Sequence, residues 1–234
     1  WMRPLSKLSL DDLILHDATL SQACLEALGA MDQLTTLQFN NVVTEQGLAQ
    51  AFRKLESLKN LVLIDVDTTD ADLKAVGTLK DLGVVYLDGR DSSDKDMAAI
   101  GDLKNVWRLS LHNTVVGDRG IRQLSGLSKL RGLDIRGTEV TNACLPTLVA
   151  LPALEVVLVR DTAIDDSAPS FIGVLHGATW YPDAATAQRV RNEAYEPAAG
   201  RVRCIGLGRC LHPSPKTSDA CLAHPFLVSR RSRR

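Results

Sequence analysis

A register of 24 residues, held seven times over, constrains this chain more than any other feature of it. With Leu111 as origin, the equivalent positions are Leu15, Phe39, Leu63, Leu87, Ile135 and Val159, each 24 residues from the next. The sites five before, two before and at the origin number 21 over the seven units, and every one is apolar. Hydrophobic residues make up 45% of the chain. Chance agreement at all these sites is then on the order of 10⁻⁷. A period of this length means stacked supersecondary units, none of which buries its apolar face alone.

Each unit reads the same way. Leu10-Asp-Asp-Leu13-Ile-Leu15 is the first core and Leu154-Glu-Val-Val157-Leu-Val159 the last. Their period-two alternation predicts a short strand. A turn follows, with Ala18, Val42, Val66, Arg90, Thr114, Thr138 and Thr162 three past the origin. A Thr hydroxyl there can bond the turn's backbone. Helix-start signals come next at Ser21, Thr44, Thr69-Asp70, Ser93-Asp94, Asp118, Thr141-Asn142 and Asp165-Asp166. These are short oxygen side chains able to accept from the orphan N–H groups of a first helical turn. Apolar residues then recur every third position, as in Leu73, Val76, Leu79 and Leu82, which suits a short helix or 3₁₀ segment behind the strand.

The pattern L-x-x-L-x-L-x-x-T-x-(I/V)-(T/D)-D-x-x-L resembles the leucine-rich repeat over about residues 5 to 180. The 24-residue Thr-Asp form resembles arrays common in bacterial proteins. It is similar to the cysteine-containing subfamily, with Thr where that subfamily often has Asn or Cys. The resemblance implies an α/β solenoid, curved, with parallel strands on a concave face and short helices on a convex one. It also implies binding to proteins or other macromolecules, without catalytic residues, and it names no partner.

Charge divides the chain in two. Residues 1–183 carry 17 Lys+Arg against 25 Asp+Glu, and residues 184–234 carry 10 against 3. We expect a solenoid over 1–183 and a basic, disordered tail over 184–234 that lacks periodicity. In the seventh unit Pro169 takes the first apolar helical position. Phe171, Ile172, Leu175, Trp180 and Tyr181 crowd behind it, as a lid over the last core layer would. At the other end Leu5 and Leu8 are spaced like the tail of a preceding unit, either a short cap or the stump of further repeats. No apolar run is long enough to predict a membrane span. The five cysteines are odd in number and lack a disulfide-framework spacing. Cys24 and Cys144 read as reduced, half-buried residues, which favours a reducing compartment such as the cytoplasm.

Catalytic chemistry finds little support. His16 and His112 occupy equivalent strand positions four units apart. At about 4.8 Å per strand they stand roughly 19 Å from each other, too far to share a metal or a proton. Asp65, Asp88, Asp134 and Asp161 lie near the same face, and parallel units give no convergent Ser/His/Asp or Cys/His set. Cys204, Cys210, His212, Cys221 and His224 in the tail match no standard zinc spacing. The terminal Arg230-Arg-Ser-Arg-Arg234 run has no aromatic interleaving to suggest nucleic acid. No cofactor, metal, nucleic acid or membrane is expected, and the chain reads as a monomer.

What remains is the strand face opposite the core. Its central units present Val62, Ile64, Val84 and Tyr86, and its C-terminal third adds Asp88, Arg108, His112, Asp134, Arg136 and Arg160. These ten are the candidate partner-binding residues, with the four apolar ones as an exposed patch and Asp88 as a solvated, replaceable one. The reading is a non-catalytic interaction module. Its partner would be a protein with an acidic patch beside an apolar anchor site. The alternative is a substrate-recruiting segment of a larger enzyme or signalling protein.

Overall fold

A computed structural model describes residues 9–89 and 92–165, together with the backbone of 179–181 and 204–206. Seven strands follow the repeat: β1 (Asp12–Leu20), β2 (Thr36–Thr44), β3 (Asn60–Ile64), β4 (Val84–Asp88), β5 (Arg108–Ser110), β6 (Gly132–Asp134) and β7 (Val156–Leu158). Between them lie α1 (Gln22–Leu28), α2 (Ala49–Phe52), α3 (Asp70–Val76), α4 (Met97–Gly101), α5 (Asp118–Gln123) and α6 (Leu145–Ala150). Short 3₁₀ turns at Asp94–Asp96, Leu124–Gly126 and Asn142–Cys144 supplement the helices. Two further strands, β8 (Thr179–Tyr181) and β9 (Cys204–Gly206), flank the seven, giving a parallel sheet in the order β8-β7-β6-β5-β4-β3-β2-β1-β9.

Pairing is in register with the repeat. Leu37 stands beside Leu13 and Leu61, and Val85 beside Leu61 and Leu109. From β1 to β7 every neighbour in the sheet is therefore the equivalent residue of the adjacent unit. This register puts all 21 strand-core residues into one hydrophobic core with the inner faces of the helices. Leu111 is fully buried at its centre.

The turns explain why the strands stop. The residue two past each origin has positive φ: Asp17, Asn41, Asp65, Gly89, Asn113, Gly137 and Asp161. Only Gly, Asn and Asp adopt this left-handed conformation at low cost, and nothing else occurs in the row. One residue later the threonines act as expected. Thr114, Thr138 and Thr162 donate their hydroxyls to the origin carbonyls of Leu111, Ile135 and Val159 at 2.8, 2.6 and 2.7 Å. Where that position holds Ala18 and Val42, pairing instead resumes beyond the turn as far as Leu20 and Thr44.

The helix starts follow the sequence signals in part. Ser21, Thr69, Ser93 and Thr141 are N-caps. Thr44 is not: it ends β2, and α2 begins only after Leu48. Asp118 is the first helical residue rather than the cap, which is Gly117. Its carboxylate reaches instead to Thr141 of the next unit, accepting from the backbone N–H at 2.9 Å and the hydroxyl at 2.8 Å. Cys24 and Cys144 are free thiols and buried rather than half-buried, because they lie on the inner helix face. The lid side chains, the zinc and basic-run readings and the expected structureless tail lie outside the described residues, β8 and β9 backbone aside.

Candidate functional site

Three rows of side chains cross the outer strand face, set by the alternation of each strand and stacked by the register. Their chemistry changes along the sheet. Over the first two units it is mostly polar, with Asp12 the one charged residue and Ile14 buried. His16 Nδ1 lies 2.8 Å from Asn40 Nδ2, and Asn60 donates to Thr36 Oγ1 at 3.1 Å.

The centre differs from the expectation of four exposed apolar residues. Val62 and Val84 are buried, at 3% and 8% exposure, and only Ile64 and Tyr86 are half-buried. Strands about 4.8 Å apart leave a short branched side chain shaded by its neighbours. A longer side chain emerges. Tyr86 does so, and the guanidinium of Arg108 lies 5.9 Å from its ring centroid, within cation–π range.

Two carboxylates on this face correct the reading of Asp88 as solvated. Asp88 is 9% exposed and accepts from the Ser110 hydroxyl and from the backbone N–H of His112 at 3.1 Å. Asp134 is 8% exposed and holds Arg136 through two bonds, Nε at 2.8 Å and Nη2 at 2.6 Å. That carboxylate, through its hydrogen bond, raises the Arg136 pKa against the desolvation of burial. The paired groups close the central face into a hydrogen-bonded layer. Arg160 remains at the surface, 3.5 Å from Asp161.

Between Arg108 and Val156 the row is interrupted by Gly132. A shallow notch opens there, lined by Tyr86, Arg108, Ser110, Asp134, Val156 and Leu158. The sequence reading placed Gly132 on the face but assigned it nothing, because a missing side chain becomes a feature only between two present ones.

A second residue passed over is Trp107. It is 40% exposed at the leading edge of β5, in a row otherwise holding Asp11, Thr35, Lys59, Gly83, Arg131 and Glu155. Its indole covers Gly83, where a Cβ would stand 2.8 Å from Nε1. A tryptophan in a polar row was the available signal. Among the described residues, no group of three or more His, Cys, Asp and Glu side chains is placed to hold a metal.

Solved structures with the same architecture decide the class. An internalin, inlF, of Listeria monocytogenes superposes with a TM-score of 0.62 at 19% identity, over 78% of this chain and 50% of its own. The chain is a leucine-rich-repeat solenoid. Internalin C2 of the same organism matches at TM-score 0.51 and 20% identity, over 70% of this chain and 75% of its own. A plant peptide hormone receptor, RGFR1, solved in complex with RGF2, matches at 0.50 and 14%, over 74% of this chain and 34% of its own. The solenoid thus spans about half the length of the inlF chain. No family model matches the sequence, and no curated protein does.

Proposed function

We propose that this leucine-rich-repeat solenoid is a non-catalytic interaction module that holds a protein partner across its concave strand face. The observation that carries the reading is the Tyr86–Arg108 pair. It is a half-buried aromatic under a guanidinium at the middle of the sheet, flanked by a layer whose polar groups are already hydrogen-bonded. Aromatic and arginine side chains in a desolvated centre are the residue types that dominate binding energy at interfaces. The fold itself supports the role, since a plant solenoid of this class is a peptide hormone receptor. Of the ten residues read from the sequence, Tyr86, Arg108, Ile64, His112 and Arg160 supply contact surface. Val62, Val84, Asp88, Asp134 and Arg136 form the layer beneath.

The face is small. Seven strands at about 4.8 Å and five residues at about 3.3 Å give an outline of roughly 490 Å². A standard interface takes about 800 Å² per partner. Either the partner also grips the flanking turns, at Asp65, Asn113 and Asp161, or the complex is a transient one. Photo-crosslinking from position 112, with mass spectrometry of the product, identifies the partner. Tyr86→Ala then weakens its binding by about 2 kcal/mol or more with the fold intact. Unchanged affinity in that variant would place binding on the helical face or the loops instead.

A further inference from the structure

We infer that the Gly132 notch is a side-chain subsite for an extended peptide segment of the partner, one that seats a small aliphatic side chain beside a carboxylate. The inference rests on the concave-face reading and specifies what is read there.

The notch follows from one substitution in a regular array. The outermost row of the concave face runs Asp12, Thr36, Asn60, Val84, Arg108, Gly132, Val156. Gly132 alone has no side chain. Arg108 and Val156 stand two strand spacings apart, about 9.6 Å between Cα atoms, with open space between. A Cβ built on Gly132 meets only Arg108 Cγ, at an ordinary 3.7 Å. The backbone there is regular strand, so turn geometry does not require the glycine. The room above it is left for something else.

The lining specifies what fits. Val156 and Leu158 form one apolar wall, and the Tyr86 ring with the Arg108 stem forms the other. The polar groups of the floor are engaged, Ser110 with Asp88 and both Asp134 oxygens with Arg136. A polar side chain entering the notch would trade water for groups already bonded, whereas an aliphatic one loses nothing. The notch is shallow, with about 10 Å³ of enclosed space, so it takes the tip of one small aliphatic side chain and not an aromatic ring.

Charge supplies the second half. On the three concave rows, the fifth to seventh units carry Arg108, Arg136 and Arg160 against Asp134, with Asp161 of the adjoining turn 3.5 Å from Arg160. The solenoid as a whole is acidic, with 17 basic against 25 acidic residues up to position 183. A cationic third on an acidic body favours a carboxylate and disfavours cationic partners. In an extended peptide, positions i and i+2 project on one side about 6.8 Å apart. A side chain seated over Gly132 thus puts its second neighbour within reach of the Arg108 guanidinium.

The test uses short random linear peptides displayed on phage and selected on the full chain. Affinities of the enriched peptides are then measured by fluorescence anisotropy. The expected result is enrichment of an aliphatic residue two positions from Asp or Glu. Gly132→Val should weaken these peptides by roughly tenfold or more, as for loss of an interface anchor. Its circular dichroism and Tm should match the parent, because the added side chain occupies open space. Arg108→Gln should remove the preference for the acid and leave the aliphatic preference. Peptides lost on Tyr86→Ala but bound normally by Gly132→Val overturn the subsite and leave the concave-face reading standing. Peptides indifferent to both variants overturn both. Failure to enrich any linear peptide on the parent overturns the extended-segment occupant.

Discussion

At the residue scale, burial and hydrogen bonding rather than residue type decide what each position tolerates. Leu111 has no exposure, so Leu111→Asp places an unpaired carboxylate in the continuous core. Urea unfolding should show a loss of more than about 4 kcal/mol, the level of buried charge. Asp88 faces the other way but is not free to change: its alanine variant leaves the Ser110 hydroxyl and the His112 N–H without their acceptor. A cost of about 1–3 kcal/mol is expected in the same assay, where a solvated aspartate would show about 0.5 kcal/mol or less. Cys144 gives a pH signature. Burial first, and then Asp118, pushes its thiol up from the ordinary 9.0 to about 12. Because the folded pKa is raised, the unfolded chain loses the proton first. The stability this thiol contributes is full below pH 9 and is lost as pH rises toward 12. Cys144→Ala should flatten the fall of unfolding free energy across that window. In native parent at neutral pH the thiol should resist alkylation.

At the element scale, the helices are too short to be stable alone, and the units cap one another. Asp94 accepts from the N–H groups of Gly117 and Gly120, at 2.7 and 2.9 Å, closing the first turn of α5 in the next unit. Asp118 does the same for Thr141. Asp72 is fully buried, completes the Thr69 capping box and reaches back to the N–H of Ala49 at 2.6 Å. Asp94 and Asp118 sit where the sequence signalled helix starts, and Asp72 one turn into its helix, yet each serves a neighbouring unit. Asp94→Ala should therefore cost about 1–2 kcal/mol, as for a lost cap. Its specific mark is in hydrogen exchange: the amides of Gly117 and Gly120 should lose protection while those of α1 keep theirs. Equal loss along the whole stack would show that Asp94 acts only through global stability.

At the scale of the whole molecule, the strand face grades from polar through aromatic to cationic, and its arginines divide by role. Arg160 is surface-exposed beside Asp161, so Arg160→Ala should slow partner association, more at low salt than at high salt, with little change in dissociation. Arg136 is different, because its loss removes both side-chain bonds to the Asp134 carboxylate, which is 8% exposed. Arg136→Ala should lower stability as well as binding, by about 3 kcal/mol as for a broken buried pair. Stopped-flow association at two ionic strengths, set beside thermal melts, separates the two. A matching salt response in both variants would show that both arginines act as rim charges.

The 24-residue register alone fixed the units, the strand positions, the in-register stacking and the inner face, because side-chain period and repeat period leave one arrangement that buries every origin residue. The left-handed turn row of Asp17, Asn41, Asp65, Gly89, Asn113, Gly137 and Asp161 went unread, although all its residues are types that tolerate positive φ. Three things needed the assembled sheet. Asp88 and Asp134 are buried, Val62 and Val84 are shaded, and Gly132 is a notch between Arg108 and Val156. Each depends on side chains 24 residues away brought within about 5 Å by strand pairing. A pattern of apolar and polar letters states which way a side chain points. What stands beside it, and therefore whether it meets water, is decided by the neighbouring strands.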